Sequence, residues 1–542
     1  MSSATLILTF LASGFAAWRA GRRTRFFLHR FQLVGYKRGP YRSLLRGPVF
    51  DLRLRRSHVL GITWVIGTIL LVPRGLPLAP WMLAVLWMIT FASSRRYRRD
   101  RTKKPPVWTP RMKRLTATTV VIQVLLLAGG TMVAIRTPGT PAFAWWFAGF
   151  WAADLLAPQL VGLASRFMAP VESQIQEGFK NQARARLADR PDLTTIAITG
   201  SYGKTSVKFA IRDVLAQRYP VLATPGSFNT PMGICKVINT QLTDDHRMMV
   251  LEMGIRHKGD IAELVDIARP DLAVITSIGV AHLESMGSME AIAAEKLSLL
   301  DALPEGGMAV VNGDDERVLQ GAQAKGCQLF VVSTRDGVGD LWAESILYGP
   351  EGARFEVVTA SGERASVQSP LLGKHNILNL LLAMGAGLVS GLRLKQAVRG
   401  AARVEPVPHR LALRQEAGLT IIDDAFNANP VGAANAVDVL SRMPGRRVIV
   451  TPGMVELGDE EVTLNQAFGR QIAAGVDDAI LVGPERTTPI RNGLVDGGFP
   501  EERIHSVYTL FEAREWIRAN CEPGDTVLYE NDLPDQYTEA RS

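Results

Sequence analysis

Cysteine is scarce in this sequence, and the positions of the three cysteines argue against two common stabilising devices. Cys235, Cys327 and Cys521 are far apart and odd in number. They form neither a CxxC pair nor a Cys/His spacing that suits zinc. The sequence therefore predicts neither a disulfide framework nor a cysteine zinc site, and we expect three ordinary thiols in a reducing compartment.

Acidic residues are almost absent from the first 163 residues. This region holds 24 of the 61 Lys and Arg residues but only Asp51, Asp100 and Asp154 as acids, which gives it a net charge of +21. The rest of the chain carries a net charge of −12. The net positive charge is therefore confined to the apolar third of the chain, where it indicates loops beside a lipid bilayer. For the same reason, the overall charge of +9 does not indicate a nucleic-acid partner, and we expect none.

Charge is also scarce within five apolar runs of the N-terminal region. The loops at 19–57 and 94–114 carry twelve and ten basic residues, whereas the other two connections carry one each. Basic loops stay on the cytoplasmic side, so we predict a plasma-membrane protein with five crossings, the N-terminus outside and everything after residue 163 in the cytoplasm. A basic block follows the first run, which is the reverse of a signal peptide. The runs are 4–18, 58–73, 81–93, 116–135 and 142–163.

A glycine turn follows a stretch rich in β-branched residues and precedes a predicted helix. Gly200 and Gly203 let the backbone bend until its N–H groups converge on one point, where the helix N-terminus adds positive potential. Lys204 can then reach the β and γ phosphates of a nucleotide, and Thr205 supplies a hydroxyl for Mg²⁺. Ile198 stands where the generic phosphate loop has a glycine, so this loop has the shorter form TGxxGKT. The pattern predicts nucleotide binding.

Two further predicted strands deliver polar residues at their ends. Glu252 ends one apolar run, and His282 follows the next run at 271–279. Helical segments separate the strands, which predicts a parallel sheet whose carboxyl ends share one edge. Lys204, Glu252 and His282 should therefore meet in one crevice, with the carboxylate and the imidazole as candidate cation ligands. A salt bridge for Glu252 and a capping or core role for His282 remain alternatives, and spacing alone makes Lys296 a solvated lysine.

Eight sequence blocks in a fixed order resemble the Mur ligase family, whose members join amino acids or peptides to peptidoglycan precursors. The motifs are closest to those of the branch that adds D-alanyl-D-alanine to a muramoyl peptide. The resemblance implies an ATP-dependent ligase that needs Mg²⁺. The blocks are 199–206, 226–233, 251–254, 281–284, 373–379, 408–410, 423–430 and 454–458.

The same resemblance implies an α/β architecture behind the membrane region. We expect an α-helical transmembrane region of about five helices at 1–163. A central P-loop, parallel-sheet ATP-binding domain at 164–404 should follow. A Rossmann-like C-terminal domain at 405–542 should then close over it, with the active site between the two.

The family resemblance also assigns roles to single residues. It makes Lys204, Glu252, His282 and Lys296 the catalytic set and places Mg²⁺ on Thr205, Glu252 and His282, with Lys296 as the lysine that some members carbamylate into a further anionic ligand. Asn427 and Asn429 should lie near the incoming amine. The implied ATP-binding residues are Gly200, Ser201, Tyr202, Gly203, Lys204, Thr205 and Ser206 at the phosphates, Asn376 and Asn379 on the adenine side, and Arg410 and Asp424, which contact nucleotide or link the closing domain to it.

The chemistry of the family explains why no protein nucleophile is needed. A carboxylate attacks the γ-phosphate of ATP and gives an acyl phosphate, and an amine then displaces the phosphate through a tetrahedral intermediate. Positioning, together with neutralisation of the phosphoryl oxygens by lysine and Mg²⁺, supplies most of the catalysis.

Three departures from the family pattern keep other functions open. Only about thirty residues separate the last apolar run from the ATPase strand, so the usual UDP-sugar domain is missing; Asn465 replaces a usual histidine; and 524–535 lacks the usual Lys-Gly-Ser-Arg ending. One alternative is a Mur-like ligase for a lipid-linked or poly-amino-acid substrate. Another is a membrane transporter driven by the P-loop domain, although the chain lacks the Leu-Ser-Gly-Gly-Gln signature of ABC proteins.

Overall fold

The structure is a computed structural model that divides into two compact units, Met1–Gln176 and Glu177–Ser542. It describes residues 3–46, 59, 61, 63–67, 80–92, 105–137, 141–426, 428–455 and 457–533.

Helices make up the first unit as far as it is described. Phe27 and Phe31 of the first helix pack against Met112 of the fourth, and a buried ion pair joins Arg19 to Asp154 at 2.9 Å. Burying two charges is tolerable because each compensates the other. The helices are α1 (Ser3–Leu33), α2 (Arg38–Arg46), α3 (Pro80–Ala92), α4 (Pro110–Arg136), α5 (Pro141–Leu155) and α6 (Ala157–Ala188), of which the last begins in this unit.

Within the described residues, α4 alone is long and apolar enough to cross a membrane, with a mean hydropathy of 2.0. Helices α5 and α6 pass the same test only as a pair, and they are bent by 71° at their break. The predicted apolar run at 142–163 is bent where the chain turns at Leu156, so its crossing of a membrane stays a prediction. The run at 81–93 forms a short helix, and most of 58–73 lies outside the described residues, so the five crossings stay a prediction.

Two sheets with mainly parallel strands form the second unit, which confirms the predicted α/β class. The first sheet has the strand order β2-β3-β1-β4-β5-β6-β7-β8-β9, and the second has β10-β11-β15-β12-β13-β14. The strands are β1 (Thr194–Thr199), β2 (Val221–Ala223), β3 (Met248–Glu252), β4 (Leu272–Ile275), β5 (Met308–Asn312), β6 (Gln328–Ser333), β7 (Leu341–Gly349), β8 (Gly352–Thr359), β9 (Arg364–Ser369), β10 (Ala412–Glu416), β11 (Leu419–Asp424), β12 (Arg447–Thr451), β13 (Asp478–Val482), β14 (Ile504–Val507) and β15 (Thr526–Glu530).

Helices cover both faces of the two sheets. The α-helices are α7 (Lys204–Leu215), α8 (Pro231–Gln241), α9 (Asp260–Ile267), α10 (Leu283–Met286), α11 (Met289–Leu297), α12 (Glu316–Gln323), α13 (Lys374–Val389), α14 (Leu394–Ala401), α15 (Pro430–Ser441), α16 (Glu461–Ala473), α17 (Thr488–Asp496) and α18 (Leu510–Asn520). Short 3₁₀ turns lie at Leu300–Ala302, Gly458–Glu460 and Glu501–Arg503.

Alternation along the central strands explains this layering. In β1, Ile196 and Ile198 enter the core that contains α7 and α13, whereas Ala197 faces the core with α8, α9 and α11. A strand buried on both faces is expected to be almost continuously apolar, as β3 is up to Glu252. The antiparallel pairing of β7, β8 and β9 was not predicted and extends one edge of the sheet.

The order of the strands fixes where ligands can bind. Strand β1 lies between β3 and β4, so the chain leaves β1 to one side and later returns to the other. Parallel sheets bind ligands at the carboxyl ends of the strands where the order reverses. The turn at 200–203 lies at this reversal point.

Candidate active site

The glycine turn after β1 has no room for side chains at its two glycines. Gly200 has φ +153°, and a Cβ atom there would overlap the hydroxyl of Thr276. Gly203 has φ +79° and caps α7, and a Cβ atom there would lie 2.7 Å from Oδ1 of Asn379. Steric crowding, together with a positive φ, therefore requires glycine at both positions.

Lys204 begins α7 and lies across the loop that precedes it. Its Nζ donates to the carbonyl oxygen of Gly200 at 2.7 Å. Burial lowers the pKa of Lys204, the charge of Glu252 opposes that shift, and the charge of Arg410 adds to it. Lys204 Nζ thus lies over the glycine turn at the carboxyl end of β1, a position that suits it to neutralise phosphate oxygens.

Glu252 ends β3 beside the first turn of α7. Its Oε2 accepts from the hydroxyl of Thr205 at 2.8 Å and from Nζ of Lys208 at 3.2 Å, while its Oε1 accepts from Nδ2 of Asn229 at 3.1 Å. The side chain of Glu252 is 2% exposed and that of Lys208 is fully buried.

These neighbours keep Glu252 charged. Burial alone would raise the pKa of Glu252, but the charges of Lys208 and Lys204 and the hydrogen bond from Thr205 bring it below its usual value. The salt bridge considered for Glu252 exists, with Lys208 as the partner, and the same carboxylate also reaches the predicted Mg²⁺ hydroxyl of Thr205.

His282 and Lys296 share the electrostatic environment of Lys204. His282 has φ +69° and occupies the N-cap position of α10 without a capping bond from its side chain, so the capping alternative fails for the imidazole. Burial, followed by the charges of Lys204 and Lys296, lowers the pKa of His282 to about 4. The imidazole is therefore neutral at physiological pH and can ligate a cation.

Lys296 is buried, so the expectation of a solvated lysine from spacing alone was wrong. It is fully inaccessible, and its Nζ has no hydrogen-bond partner in the described part of the chain. Burial and the charge of Lys204 lower the pKa of Lys296 well below its usual value. Burial therefore favours the neutral amine of Lys296 over its ammonium form, which is an unusual preference for lysine.

A magnesium site at this edge must rely on few protein ligands. Across the described residues, no three His, Cys, Asp or Glu side chains lie together as a metal cluster. Mg²⁺ usually keeps several waters and is held by one or two carboxylates together with substrate phosphates. Glu252 beside the hydroxyl of Thr205 fits that mode of binding.

The other predicted phosphate-loop residues hold the loop in place. The hydroxyl of Ser201 donates to the carbonyl of Gly279 at 2.9 Å, and the ring of Tyr202 packs on Gly279. Burial raises the pKa of Tyr202 to about 12. Ser206 lies half-buried in the first turn of α7. The side chains of Ser201 and Tyr202 thus act on the loop after β4.

The predicted adenine-side pair lies against the phosphate loop. Nδ2 of Asn379 donates to Oδ1 of Asn376 at 2.8 Å, and Nδ2 of Asn376 donates to the carbonyl of Leu372 at 2.8 Å. Both side chains are buried in the first half of α13. Asn379 therefore supports the loop at Gly203, and any contact with adenine stays a prediction.

The second sheet contributes Arg410 and Asp424 to the same region. Nη2 of Arg410 donates to Oγ1 of Thr205 at 3.2 Å, and its guanidinium lies 4.7 Å from the ring centre of Phe426. Asp424 ends β11 and accepts from the backbone N–H of Leu411 at 3.2 Å. Burial raises the pKa of Asp424 to about 6. Arg410, in the segment before β10, is thus a direct link from the domain of the second sheet to α7.

The predicted amine-binding residues are only partly visible. Asn429 is the N-cap of α15, where its Oδ1 accepts from the N–H of Gly432 at 2.9 Å. Asn427 lies outside the described residues. Asn465, which departs from the family pattern, is buried and exchanges hydrogen bonds with both backbone groups of Met454 at 2.9 Å. It therefore shapes the loop after β12.

Sequence reasoning missed Lys208 and Asn229 as partners of Glu252. Lys208 follows Lys204 by four residues, a spacing that puts both lysines on one face of α7. The signal for Lys208 was its place on a face of α7 whose other residues pack into the core, because a lysine there needs a buried partner. For Asn229 the sequence held no signal beyond its place in the block at 226–233.

The geometry of the site defines a class of protein. A phosphate loop at the reversal of a parallel sheet, with a second α/β sheet supplying an arginine to its threonine, defines a two-domain nucleotide-dependent enzyme. Known sequences and structures narrow this class to one family. The chain belongs to the Mur ligase family, a family of ATP-dependent, ADP-forming ligases.

The similarity covers the second unit. The Mur ligase middle domain matches residues 198–387, and the Mur ligase, glutamate ligase domain matches 409–529. The UDP-N-acetylmuramoyl-tripeptide–D-alanyl-D-alanine ligase of Bacillus subtilis (strain 168) is 32% identical over 337 residues, 62% of this chain and 72% of that protein. A crystal structure of MurF from Acinetobacter baumannii has a TM-score of 0.60 at 27% identity, covering 66% of this chain and 77% of that one.

A second solved structure shows the same fold. MurF from Thermotoga maritima in complex with ADP has a TM-score of 0.59 at 24% identity and covers 66% of this chain and 80% of that one.

Proposed function

We propose that this protein joins D-alanyl-D-alanine to a muramoyl tripeptide precursor of peptidoglycan, with ATP as the energy source and Mg²⁺ as the cofactor. The observation that carries the proposal is the phosphate loop in which the hydroxyl of Thr205 hydrogen-bonds to both Glu252 and Arg410. A relative of this chain from Bacillus subtilis is named for the same reaction. The identities of the acid, of the amine and of the metal ion are all part of what we propose.

The side chains around the loop have separate tasks in this reaction. Lys204 neutralises the phosphoryl oxygens as the acid attacks the γ-phosphate. Positioning and charge neutralisation alone can accelerate this phosphoryl transfer. Thr205 and Glu252 would hold Mg²⁺, with the neutral imidazole of His282 as a further ligand. There the ion would supply positive charge that offsets the charge of the phosphate oxygens. Arg410 couples closure of the second sheet to nucleotide binding, because it reaches Thr205.

Lys296 is suited to carbamylation. Carbon dioxide reacts with a neutral amine, and Lys296 is a buried amine with a strongly lowered pKa and no hydrogen-bond partner in the described structure. The carbamate would add an anion next to Lys204, whose charge reaches this site. A carbamate carbon signal after incubation with ¹³C-bicarbonate, absent in Lys296→Met, is the expected result. Equal spectra for both proteins would reject the assignment.

We further propose that the first unit anchors the enzyme in the plasma membrane with the ligase domains in the cytoplasm. The support is the apolar helix α4 and the concentration of basic residues in the first 163 residues. Reporter fusions after residues 57, 114 and 163 should all report a cytoplasmic location, and fusions after 74 and 136 an external one. Any reversed pair would overturn the five-crossing topology.

A second candidate differs only in the acid. A helical unit containing a candidate membrane span stands before the family match that begins at residue 198, which favours an acid carried on a membrane lipid. A transporter is disfavoured, because both sheets belong to ligase domains. Membrane extracts that support ADP formation where a soluble UDP-muramoyl tripeptide does not would favour the lipid-linked acid.

The first test is phosphate release by the detergent-purified full chain. ATP and Mg²⁺ are supplied with UDP-muramoyl tripeptide and D-alanyl-D-alanine, together and separately, and Lys204→Ala serves as the inactive control. Release and a new peptide product only with both substrates would support the proposal. Release without either substrate, equal in Lys204→Ala, would contradict it.

A further inference from the structure

A cavity of about 170 Å³ lies in the first unit, beside the start of α4. The end of α1, the start of α2, the first two turns of α4 and the middle of α6 form its walls. Pockets for drug-sized ligands have volumes of about 300–1,000 Å³, so this cavity suits a smaller group. Its apolar lining includes Phe31, Leu115 and Met168, and its charged lining consists of Arg38, Arg111 and Glu172.

The surrounding structure holds both arginines of this cavity in place. Gly35 and Tyr36 have φ +65° and +60°, so the chain turns sharply between α1 and α2. The guanidinium of Arg111 lies 4.4 Å from the ring centre of Tyr36, within the range of a cation–π contact. Nη2 of Arg38 donates to the carbonyl of Ser165 in α6 at 3.0 Å. Both guanidinium groups are therefore positioned at the wall of the cavity.

The carboxylate of Glu172 does not cancel the positive charge of the cavity. Nε and Nη2 of Arg114 donate to its two oxygens at 2.8 and 3.0 Å, and Nε of Arg111 lies 3.8 Å from Oε2. Three guanidinium groups and one carboxylate therefore gather around the cavity, which leaves an excess of two positive charges. The side chain of Arg111 is still 36% exposed. This charge favours an anion in the cavity.

The position of the cavity along α4 matches the depth of lipid head groups. Arg111 precedes the apolar run at 116–135 by five residues, which is about 8 Å along the helix axis. The head-group layer on one side of a bilayer is roughly 5–8 Å thick. With α4 crossing the membrane as proposed above, the cavity lies in this layer. Farther along, α4 exposes the apolar side chains that hydrocarbon would cover, among them Val120, Val121, Val124 and Leu125.

We propose that this cavity binds the phosphate group of an anionic membrane phospholipid, with Arg38 and Arg111 as the phosphate ligands. The inference rests on the proposed membrane anchor and is independent of the proposed reaction. Guanidinium groups offer paired N–H donors that match phosphate oxygens, and the apolar wall at Phe31 and Leu115 suits the glycerol and the first methylene groups of the acyl chains. The first unit thus holds one lipid in a defined site, in addition to the diffuse attraction between basic loops and anionic lipid.

The test titrates the detergent-purified full chain with dioleoylphosphatidylglycerol and counts bound lipid by native mass spectrometry. Arg38→Gln/Arg111→Gln should weaken the apparent affinity about 30-fold, because both phosphate ligands are lost. The matched control, Arg42→Gln/Lys113→Gln, removes the same charge from exposed positions on the same two helices and should stay within about twofold of wild type. Unchanged binding in the first variant, or equal weakening in both, would overturn the inference.

A second measurement uses only the wild-type protein, in case the arginine variant does not fold. Dioleoylphosphatidylcholine has the same acyl chains, but its choline would bring a further positive charge to the cavity, so it should bind about tenfold more weakly than the phosphatidylglycerol. Equal binding of the two lipids would overturn the inference. Glycerol 3-phosphate distinguishes the source of the phosphate group. It should not displace the bound lipid, and displacement at equal concentration would mean that the cavity takes free phosphate and would overturn the assignment to a lipid.

Flotation of the full chain with phosphatidylcholine vesicles tests the membrane anchor separately. Flotation together with preferential binding of phosphatidylglycerol in detergent is the expected result. Flotation without that preference would leave the anchor standing and overturn the lipid site. A chain that stays in the soluble fraction without detergent would overturn the anchor, and the lipid site with it.

Discussion

Glu252 and Glu530 occupy equivalent places in two different sheets, yet their surroundings are opposite. Each is a buried glutamate at the carboxyl end of an apolar parallel strand. Lys208 and Lys204 hold the pKa of Glu252 below its usual value, whereas burial beside Asp424 raises the pKa of Glu530 to about 8. On the first edge, the carboxylate at the end of β3 has lysines beside it, as suits a site for triphosphate, whereas on the second edge the carboxyl group at the end of β15 has a second acid beside it.

The largest expected effect concerns the cations of the first edge. Lys204→Ala removes the charge that lies over the loop at Gly200, and we expect kcat for ADP formation to fall about 10³-fold because developing phosphoryl charge loses its closest neutralising group. Lys395→Ala, an exposed lysine on α14, should behave as wild type. A loss of less than about tenfold would mean that the first edge does not rely on Lys204.

Breaking the ion pair of the first edge should make Glu252 resemble Glu530. Lys208→Met leaves the buried carboxylate without its partner, and we expect the free energy of unfolding in urea to fall by about 3 kcal/mol. The double variant Lys208→Met/Glu252→Gln should regain part of that loss, because no charge is then stranded. Equal losses in the single and double variants would show that packing, and not charge, is responsible.

The raised pKa of Glu530 should make the free energy of unfolding depend on pH. The native state keeps a proton on Glu530 up to about pH 8, while the unfolded chain loses it near the ordinary value of 4.5. The native state therefore binds more protons in this window, so stability falls as the pH rises. Relative to Glu530→Gln, wild type should lose roughly 2 kcal/mol between pH 6 and pH 8 in urea unfolding. A difference that does not change with pH would contradict the comparison.

The smallest expected effect is on the link between the edges. Arg410→Ala removes the contact with Thr205, and we expect kcat/KM for ATP to fall about tenfold, since the phosphate loop loses one charge-assisted hydrogen bond. Arg364→Ala, which breaks an exposed ion pair with Glu344, is the control and should leave the kinetics unchanged. Kinetics unchanged in Arg410→Ala would mean that the sheets act independently.

Much of the fold was predictable because it rests on short-range patterns. The turn at 200–203 and the apolar strands ending near Glu252 and His282 indicated a parallel sheet with a shared edge, and the structure has that sheet. The antiparallel strands β7 to β9 escaped prediction, since their alternation does not specify which neighbour they pair with. The bend at Leu156 escaped for a similar reason, because an apolar run shows length but not continuity.

Burial of charged side chains was the part of the site that sequence could not supply. The pattern of Glu530 is the same as that of Glu252, an apolar strand ending in glutamate, but the strand order that places Glu530 beside Asp424 is a tertiary fact. Lys296 likewise sits on a short helix whose sequence does not reveal which face is covered. Whether such residues are charged depends on neighbours that are distant in the chain.

Among the strands of the described residues, the one that carries Glu530 is the last to be made, but it lies inside its sheet, between β11 and β12. During synthesis on the ribosome, β11 and β12 must therefore wait with a gap between them until residues 526–530 emerge. The phosphate loop and its sheet are complete by then, because every strand of that sheet is made earlier. A chain truncated before residue 526 would thus keep every strand of the first sheet but would lack an interior strand of the second.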